Sequence, residues 1–545
     1  MRNIFNNEKI ISIIFFLIIF LFGYFIYPDY GISIDEDNSR INGFVSLKYV
    51  LELFSLDLLD KLNQIITVPN IHEYKEQGNG VVFEMPLAFI EIFFGIKNIR
   101  DVYLIRHLFT FIIFFVSLIY FFLILKKRFK SYIFGILGVF FLLISPRIFA
   151  QSFYNSKDII FMSLNIINLY YGIKYLEKSN FKNGLMFSIF TGLSVGTRLL
   201  GIYLPVLICF IKITQILRSN KKNFIEFIKL LIIIFFLLLF IYLFWPYLWS
   251  NPFVNFYSAF ANIGNHEVGI YNFFLGQYIP VEFVPWYYTF VWIFISTPIT
   301  HLLLFILGFS FFVKRLISRI LKIDENKTHN DLWRGEDEKI DVILFMNIFI
   351  PILSVVIMHS SLYTGWRHMF FIYPSIVFFI IYSIKMINIL YVKNKHKLIV
   401  LSIIFLLPTI FWMYKNHPYQ YTYFNSIYKK NFNKYFDMDY WGLTNYHSMK
   451  YILKNNKQND QIAIGIIGNG DLNLSRSFLS KSEKKKIVIS EDLETVDFLI
   501  DNYARWNGIK FLKYQQEIDD KFKIYYEIQI NGVAISSIYK KISKN

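Results

Sequence analysis

The chain carries one cysteine in 545 residues, Cys209, and it lies inside an apolar run. That excludes an intramolecular disulfide and a cysteine-built zinc site. Charge is scarce as well. Asp, Glu, Lys and Arg make up 17% of the chain against 55% hydrophobic and 20% aromatic residues, with mean hydropathy +0.43. A soluble protein of this length carries more charge, so the composition points to a polytopic membrane protein. Acids are the scarcer sign, 39 against 56 Lys and Arg, for a net charge of +17. This excess does not describe a nucleic-acid surface, because the cations cluster between apolar runs: KKRFK at 126–130, RSNKKN at 218–223, KRLISR at 314–319 and KNKHK at 393–397. Such clusters are the signature of cytoplasmic loops. There is no internal repeat, and Gly465, Gly468 and Gly470 do not have the spacing of a dinucleotide-binding loop.

What is abundant is runs of about 20 apolar residues, the length that spans a bilayer. They predict about eleven transmembrane helices, at 9–27, 104–125, 131–149, 159–174, 183–198, 199–217, 226–248, 286–313, 341–359, 368–386 and 397–414. The stretch 184–213 is too long for one span, and splitting it at Thr197–Arg198 puts every basic loop on one side. The first run has no small-x-small cleavage site and reads as an uncleaved anchor with a cytoplasmic N-terminus. The expected location is a bacterial inner (plasma) membrane. The opposite, periplasmic face then receives 28–103, the turns at 147–158, 198 and 360–367, the loop 249–285 and the tail from 415.

Two units follow: a membrane domain over 1–414 and a C-terminal periplasmic α/β domain over 415–545. Within 28–103, the segments 45–59 and 83–96 have helical spacing but are too short to span, so they read as interfacial helices. In the tail, QIAIGIIG, KIVIS and TVDFLIDNY read as buried strands and 444–456 as a helix, with 506–519 as a further helical stretch. The last strands form a hairpin turning on Asn531–Gly532.

The face opposite the basic loops carries few charges, and they sit at span ends. "SIDEDNSR" puts Asp35, Glu36 and Asp37 side by side at the first membrane exit. An acidic triplet is ordinarily solvated loop, but a carboxylate close to lipid can also serve as a general base for a hydroxyl. "ISPRIFAQSFYNSKDII" brings Arg147, Lys157 and Asp158 into one short turn, where snorkelling anchors are the ordinary reading. Arg198 sits at the apex of an apolar hairpin, and Arg367 and His368 sit in "LYTGWRHMFF". Arginine pairs with phosphate through two parallel charged hydrogen bonds. One acid and several phosphate-seeking cations at one membrane face suit transfer from a lipid-phosphate sugar, whose leaving phosphate needs charge stabilisation and whose acceptor needs a base.

These segments resemble those of the GT-C glycosyltransferases, in particular the protein O-mannosyltransferase and aminoarabinose-transferase-like group. Asp35–Glu36 resembles that group's acidic motif. YKEQGNGVVFEMPLAFIE (74–91), SPRIFAQSFYNSKDIIFMSL, LSVGTRLLGIYLP, VPWYYTFVWIFISTPI (284–299), YTGWRHMFFIYP and DYWGLTNYHSMKYIL (439–453) resemble its other segments in the same order. The resemblance implies inverting transfer of a sugar from a polyprenyl-phosphate donor to a protein, lipid or glycan acceptor. It makes Asp35 the acceptor-activating base, with Glu36 its neighbour in the catalytic set and Asp37 solvated loop. Asp158 becomes the second acid, near the acceptor or a metal. Lys157, Arg198, Arg367 and His368 would hold the donor phosphate. Some relatives use a divalent metal and others do not, and no compact ligand set here decides between them. The rival readings are a transporter or flippase of a lipid-linked sugar, which would place its charges at mid-membrane rather than at one face, and a non-catalytic scaffold whose tail binds partners.

Overall fold

The computed structural model describes the chain except residues 1, 55–56, 219–222, 262–269, 322–331, 393, 428–430, 457–460, 469, 506–517 and 543–545. The helical stretch expected at 506–519 therefore falls largely outside the described residues. α1 (Arg2–Ile26) leads through a short turn into α2 (Ile34–Phe54). The acidic triplet, expected in a loop, is thus the first turn of a helix. Ser33-x-x-Glu36 sets that start: the Ser33 backbone N–H donates to Glu36 Oε2 at 2.7 Å, half of a capping box, and acids at a helix N-terminus meet its positive end.

α3 (Leu58–Ile65) and α4 (Glu84–Phe94) complete the segment between α1 and the next span, and neither is long enough to cross a bilayer. α2 and α4 meet backbone to backbone at Gly43, where a Cβ would lie 2.6 Å from the Glu84 carbonyl oxygen. α5 (Ile99–Phe129) is a full span. The single span expected at 131–149 is instead α6 (Tyr132–Leu143) and α7 (Pro146–Tyr154), bent by 76°. Pro146 disfavours helical geometry at the residue before it and starts the second helix itself. α8 (Asp158–Glu177), α9 (Phe181–Val195) and α10 (Tyr203–Leu217) follow, with the predicted hairpin turn at Gly196–Ile202.

α11 (Asn223–Leu243) and α12 (Pro252–Ala261) precede an antiparallel pair, β1 (Tyr271–Phe274) and β2 (Gln277–Pro280). The span expected at 286–313 is broken at Thr297–Pro298 into α13 (Tyr288–Ser296) and α14 (Ile299–Leu321). α15 (Gly335–Ile357), α16 (Tyr373–Ile387, entered by a 3₁₀ turn from Arg367) and α17 (Lys395–Lys415) end the helical part. Among the described residues nine helices are long and apolar enough to span, or ten counting the bent pair, against about eleven expected. The shortfall comes from α9, 15 residues long.

Ion pairs mark one end of the helices. There Arg128 and Arg315 both bind Asp341, Lys127 meets Glu177, Arg319 meets Glu338, and Lys212 meets Glu226. These residues come from the basic stretches or face them. Asp158, Arg198 and Arg367 lie at or just before the opposite ends of α8, α10 and α16, and Arg367 brings Asp35 to them.

The tail begins by packing on the helices. Tyr421, Phe424, Phe436, Tyr440 and Trp441 belong to the same hydrophobic cluster as the spans. After α18 (Leu443–Asn455) come β3 (Ile462–Ile466), the short helices α19 (Leu472–Ser477) and α20 (Lys481–Lys484), β4 (Ile487–Ile489), β5 (Phe498–Asp501), β6 (Phe522–Ile530) and β7 (Val533–Lys541). The sheet order is β4-β3-β5-β7-β6, with the first three parallel and the β6–β7 hairpin antiparallel. The predicted strands and hairpin are present, and Asn531 and Gly532 both have positive φ, as the turn requires.

Candidate active site

Four chain segments deliver the charges. The first turn of α2 carries Asp35, the start of α8 carries Lys157 and Asp158, the α9–α10 turn carries Arg198, and the 3₁₀ turn before α16 carries Arg367. Arg367 Nη1 donates to Asp35 Oδ2 at 2.6 Å and to Asp158 Oδ2 at 3.2 Å. Arg198 Nη2 donates to the other oxygen of Asp158. Asp158 is buried, whereas the Asp35 side chain is 37% exposed. The outer carboxylate is therefore the one a substrate can reach.

Asn155 shapes the start of α8. Its Oδ1 accepts the Asp158 backbone N–H at 2.8 Å and its Nδ2 donates to Asp158 Oδ2 at 3.0 Å. Lys157 is half-buried, with Nζ donating to Asn79 Oδ1 at 2.9 Å. Burial, then the neighbouring Arg198 charge, pushes its pKa down to about 8, while Glu76, Asp158 and Asp35 oppose the shift. Arg198 Nε is buried with no hydrogen-bond partner among the described residues. A buried guanidinium N–H without a partner costs free energy, and an anionic ligand would satisfy it. Tyr363 and Trp441 both pack on the Arg367 guanidinium, at 5.0 and 4.7 Å from ring centroid to Cζ, and Thr364 Oγ1 accepts from Arg367 Nε. His368 stands against the Tyr363 ring, with centroids 4.7 Å apart.

Asp35, Lys157, Asp158, Arg198 and Arg367 thus come together as the sequence predicts. Others do not join them. Glu36 is 3% exposed, with its oxygens on the Ser33 N–H and on His107 Nε2 at 2.8 Å. It anchors α2 to α5 and presents no free carboxylate. Asp37, expected in solvated loop, accepts from Tyr103 Oη at 2.8 Å. Arg147 lies buried between Trp292 and Phe424, donating to the Tyr423 carbonyl, and ties α7 to the tail.

Sequence reasoning missed a buried ionic layer next to the site. Arg40 binds Glu91 at 3.0 Å through Nε, Arg106 binds Glu84, and Ser156 donates to Glu84. All of these are buried, and Glu84 has its pKa raised by burial against the pull of Arg106. The layer joins α2, α4 and α5 to the turn before α8. A small polar cavity beside it is lined by Ser39, Asn42, Glu84, Ser156, Lys157 and Thr197. Among the described residues no group of three or more His, Cys, Asp or Glu could hold a metal ion.

Residues 85–245 match the sequence model of the family described as dolichyl-phosphate-mannose-protein mannosyltransferase. This stretch holds Glu91, Arg106, Lys157, Asp158 and Arg198. No curated protein matches the chain. Solved structures similar at low identity include these three. The apo crystal structure of ArnT from Cupriavidus metallidurans is 10% identical, with 97% of each chain covered and a TM-score of 0.47. The same protein bound to undecaprenyl phosphate is 8% identical, with 98% of each chain covered and a TM-score of 0.41. The Archaeoglobus fulgidus oligosaccharyltransferase tethered to an acceptor peptide is 9% identical, with 86% of this chain and 66% of that one covered and a TM-score of 0.40. Scores this low leave the fold to be judged from the chain's own elements. The family match bears out the resemblance to the GT-C glycosyltransferases.

Proposed function

We propose that this chain, a membrane glycosyltransferase of the GT-C type, moves a sugar from a polyprenyl-phosphate donor to a hydroxyl acceptor in one inverting displacement, with Asp35 as general base. The reaction takes place at the periplasmic face of a bacterial inner membrane, with the N-terminus cytoplasmic and the tail periplasmic. The observation that carries the reading is the shared Arg367 edge: one guanidinium nitrogen touches the exposed carboxylate of Asp35 and the buried carboxylate of Asp158.

In the displacement, Asp35 takes the proton of the acceptor hydroxyl as its oxygen attacks the anomeric carbon. The bond from that carbon to the phosphate oxygen breaks, and the polyprenyl phosphate leaves as a monoester. Negative charge thereby passes from Asp35 to the phosphate. Arg367 loses its partner on Asp35 as that carboxylate is protonated, at the moment the phosphate gains charge. Interactions that strengthen in this way during the reaction lower its barrier. Lys157, Arg198 and Arg367 against Asp35 and Asp158 leave one formal positive charge, which balances the single charge of a donor phosphodiester. Asp158 holds both arginines in place, His368 lines the phosphate side through Tyr363, and Glu36 fixes the helix that carries Asp35.

The test is Asp35→Asn assayed for transfer from labelled polyprenyl-phosphate sugars. General-base loss costs roughly 10²–10⁴-fold, and near-wild-type transfer by a normally inserted variant would sink the assignment. Passage of intact lipid-linked sugar across vesicles, with no product formed, would favour transport instead.

A further inference from the structure

Trp441 belongs to the tail, yet it touches Arg367 of the central ion pair and the residue that precedes Asp35. Its backbone carbonyl accepts the N–H of Ile34, the residue before Asp35, at 3.0 Å. Its ring lies 4.7 Å from the Arg367 guanidinium carbon. The indole is 2% exposed and packs edge-on against Tyr154, with centroids 5.6 Å apart. The turn that presents it is pinned by Asp439, which accepts from the backbone N–H of Leu443 at 3.1 Å and of Thr444 at 2.7 Å. The Leu443 carbonyl in turn lies against Gly31, where a Cβ would come within 2.7 Å.

We infer that Trp441 is a positioning residue for the transfer reaction, and that the membrane site is complete only with the tail docked on it. The proposal rests on the reading of the preceding subsection. The carbonyl holds the turn that presents Asp35, so the base cannot drift as its proton load changes. The indole face holds the guanidinium, which prefers a flat aromatic partner and keeps its N–H edge free for oxygen. With the indole in place beside the Tyr363 ring, the edge facing Asp35 also faces the space a departing phosphate would fill. Without it, the arginine has rotamers to lose before it can bind, and misplacement of this kind is costly for a reaction that depends on alignment.

The experiment uses the full chain in detergent with three substitutions. All three keep the backbone carbonyl; Trp441→Leu removes the flat ring, Trp441→Met does so with a longer flexible side chain, and Trp441→Phe keeps a flat face. Two readouts are taken: binding of a polyprenyl phosphate carrying no sugar, and the separate kcat and KM of transfer. W441L and W441M are expected to bind the lipid phosphate about tenfold more weakly. They are also expected to lower kcat for transfer about tenfold with KM for the acceptor little changed, because a loosened guanidinium no longer meets the charge that forms on the phosphate. W441F is expected to stay within about threefold of wild type on both readouts. If W441L does not purify intact, W441M carries the same expectation.

Wild-type binding and an unchanged kcat in the ring-less variants would overturn the proposal, as would a W441F as impaired as W441L. A wild-type chain that neither binds lipid phosphate nor transfers sugar would overturn the transfer reading and this proposal together. Normal wild-type transfer with indifferent Trp441 variants would overturn only the role of Trp441.

Discussion

Lys157 offers a test of the site that does not depend on removing the base. Burial and the Arg198 charge hold its pKa near 8, below its ordinary 10.5. A group titrating at 8 is about 0.9 protonated at pH 7 and about 0.1 protonated at pH 9. If the charge is needed to receive the donor phosphate, kcat/KM for the donor should fall about tenfold between those values, with an apparent pKa near 8. Bound donor adds negative charge and raises the pKa in the complex, so the limb in kcat should lie at higher pH than the limb in kcat/KM. Lys157→Met should give low, pH-flat activity across this range, and Lys157→Arg should stay charged and lose the limb. The stability sign runs the other way. Between pH 8 and 10.5 the unfolded chain binds more protons at this residue than the folded chain, so its contribution to stability rises with pH. Transfer should therefore fall through a window in which Lys157 does not weaken the fold, and a melting curve taken alongside separates the two. A limb near pH 8 that persists unchanged in Lys157→Met would refute the assignment, as would wild-type activity flat to pH 10.

Two other substitutions probe the supports of the site. Arg106→Met leaves Glu84 buried without its cation and takes one from Glu91. Breaking a buried pair costs about 3–5 kcal/mol, so the variant should melt well below wild type in detergent, and an unchanged melting temperature would show that the layer is not structural. Gly31→Ala places a methyl 2.7 Å from the Leu443 carbonyl oxygen, which is backbone and cannot swing away. The first turn of α2 must then move relative to the tail, and transfer should drop with Asp35 intact. Normal kinetics in Gly31→Ala would show that this contact does not set the geometry of the base.

Which residues could be found in advance follows from how each is held. Asp35, Asp158, Arg198 and Arg367 stand where charge meets an apolar run, and a single sequence displays that contrast because only one residue need be noticed at a time. Their mutual contacts cross large sequence separations, 332 residues for Arg367 and Asp35, and only the sidedness of the spans predicted them. Glu36 misled because neighbours in sequence look equivalent, while on a helix the next residue points about 100° away. The Ser33-x-x-Glu36 spacing was the available sign that this was a helix start, and it would have given Glu36 to the backbone. Arg106 and His107 also left a sign, since two ionisable residues inside a predicted span call for partners nearby. Glu84, Glu91 and Glu36 are those partners. The break at Pro298 and the bend at Pro146 follow from proline chemistry, which a hydropathy profile does not register.

Trp441 left no such mark. It is one aromatic in a tyrosine-rich segment, and its importance comes from a carbonyl and a ring face, neither of which composition or spacing records. A backbone acceptor is the same in every residue type, and so the contact that fixes Asp35 is invisible to any reading by residue identity. What the sequence does show is the residue that contact serves, and the substitutions that separate ring from carbonyl follow from seeing both.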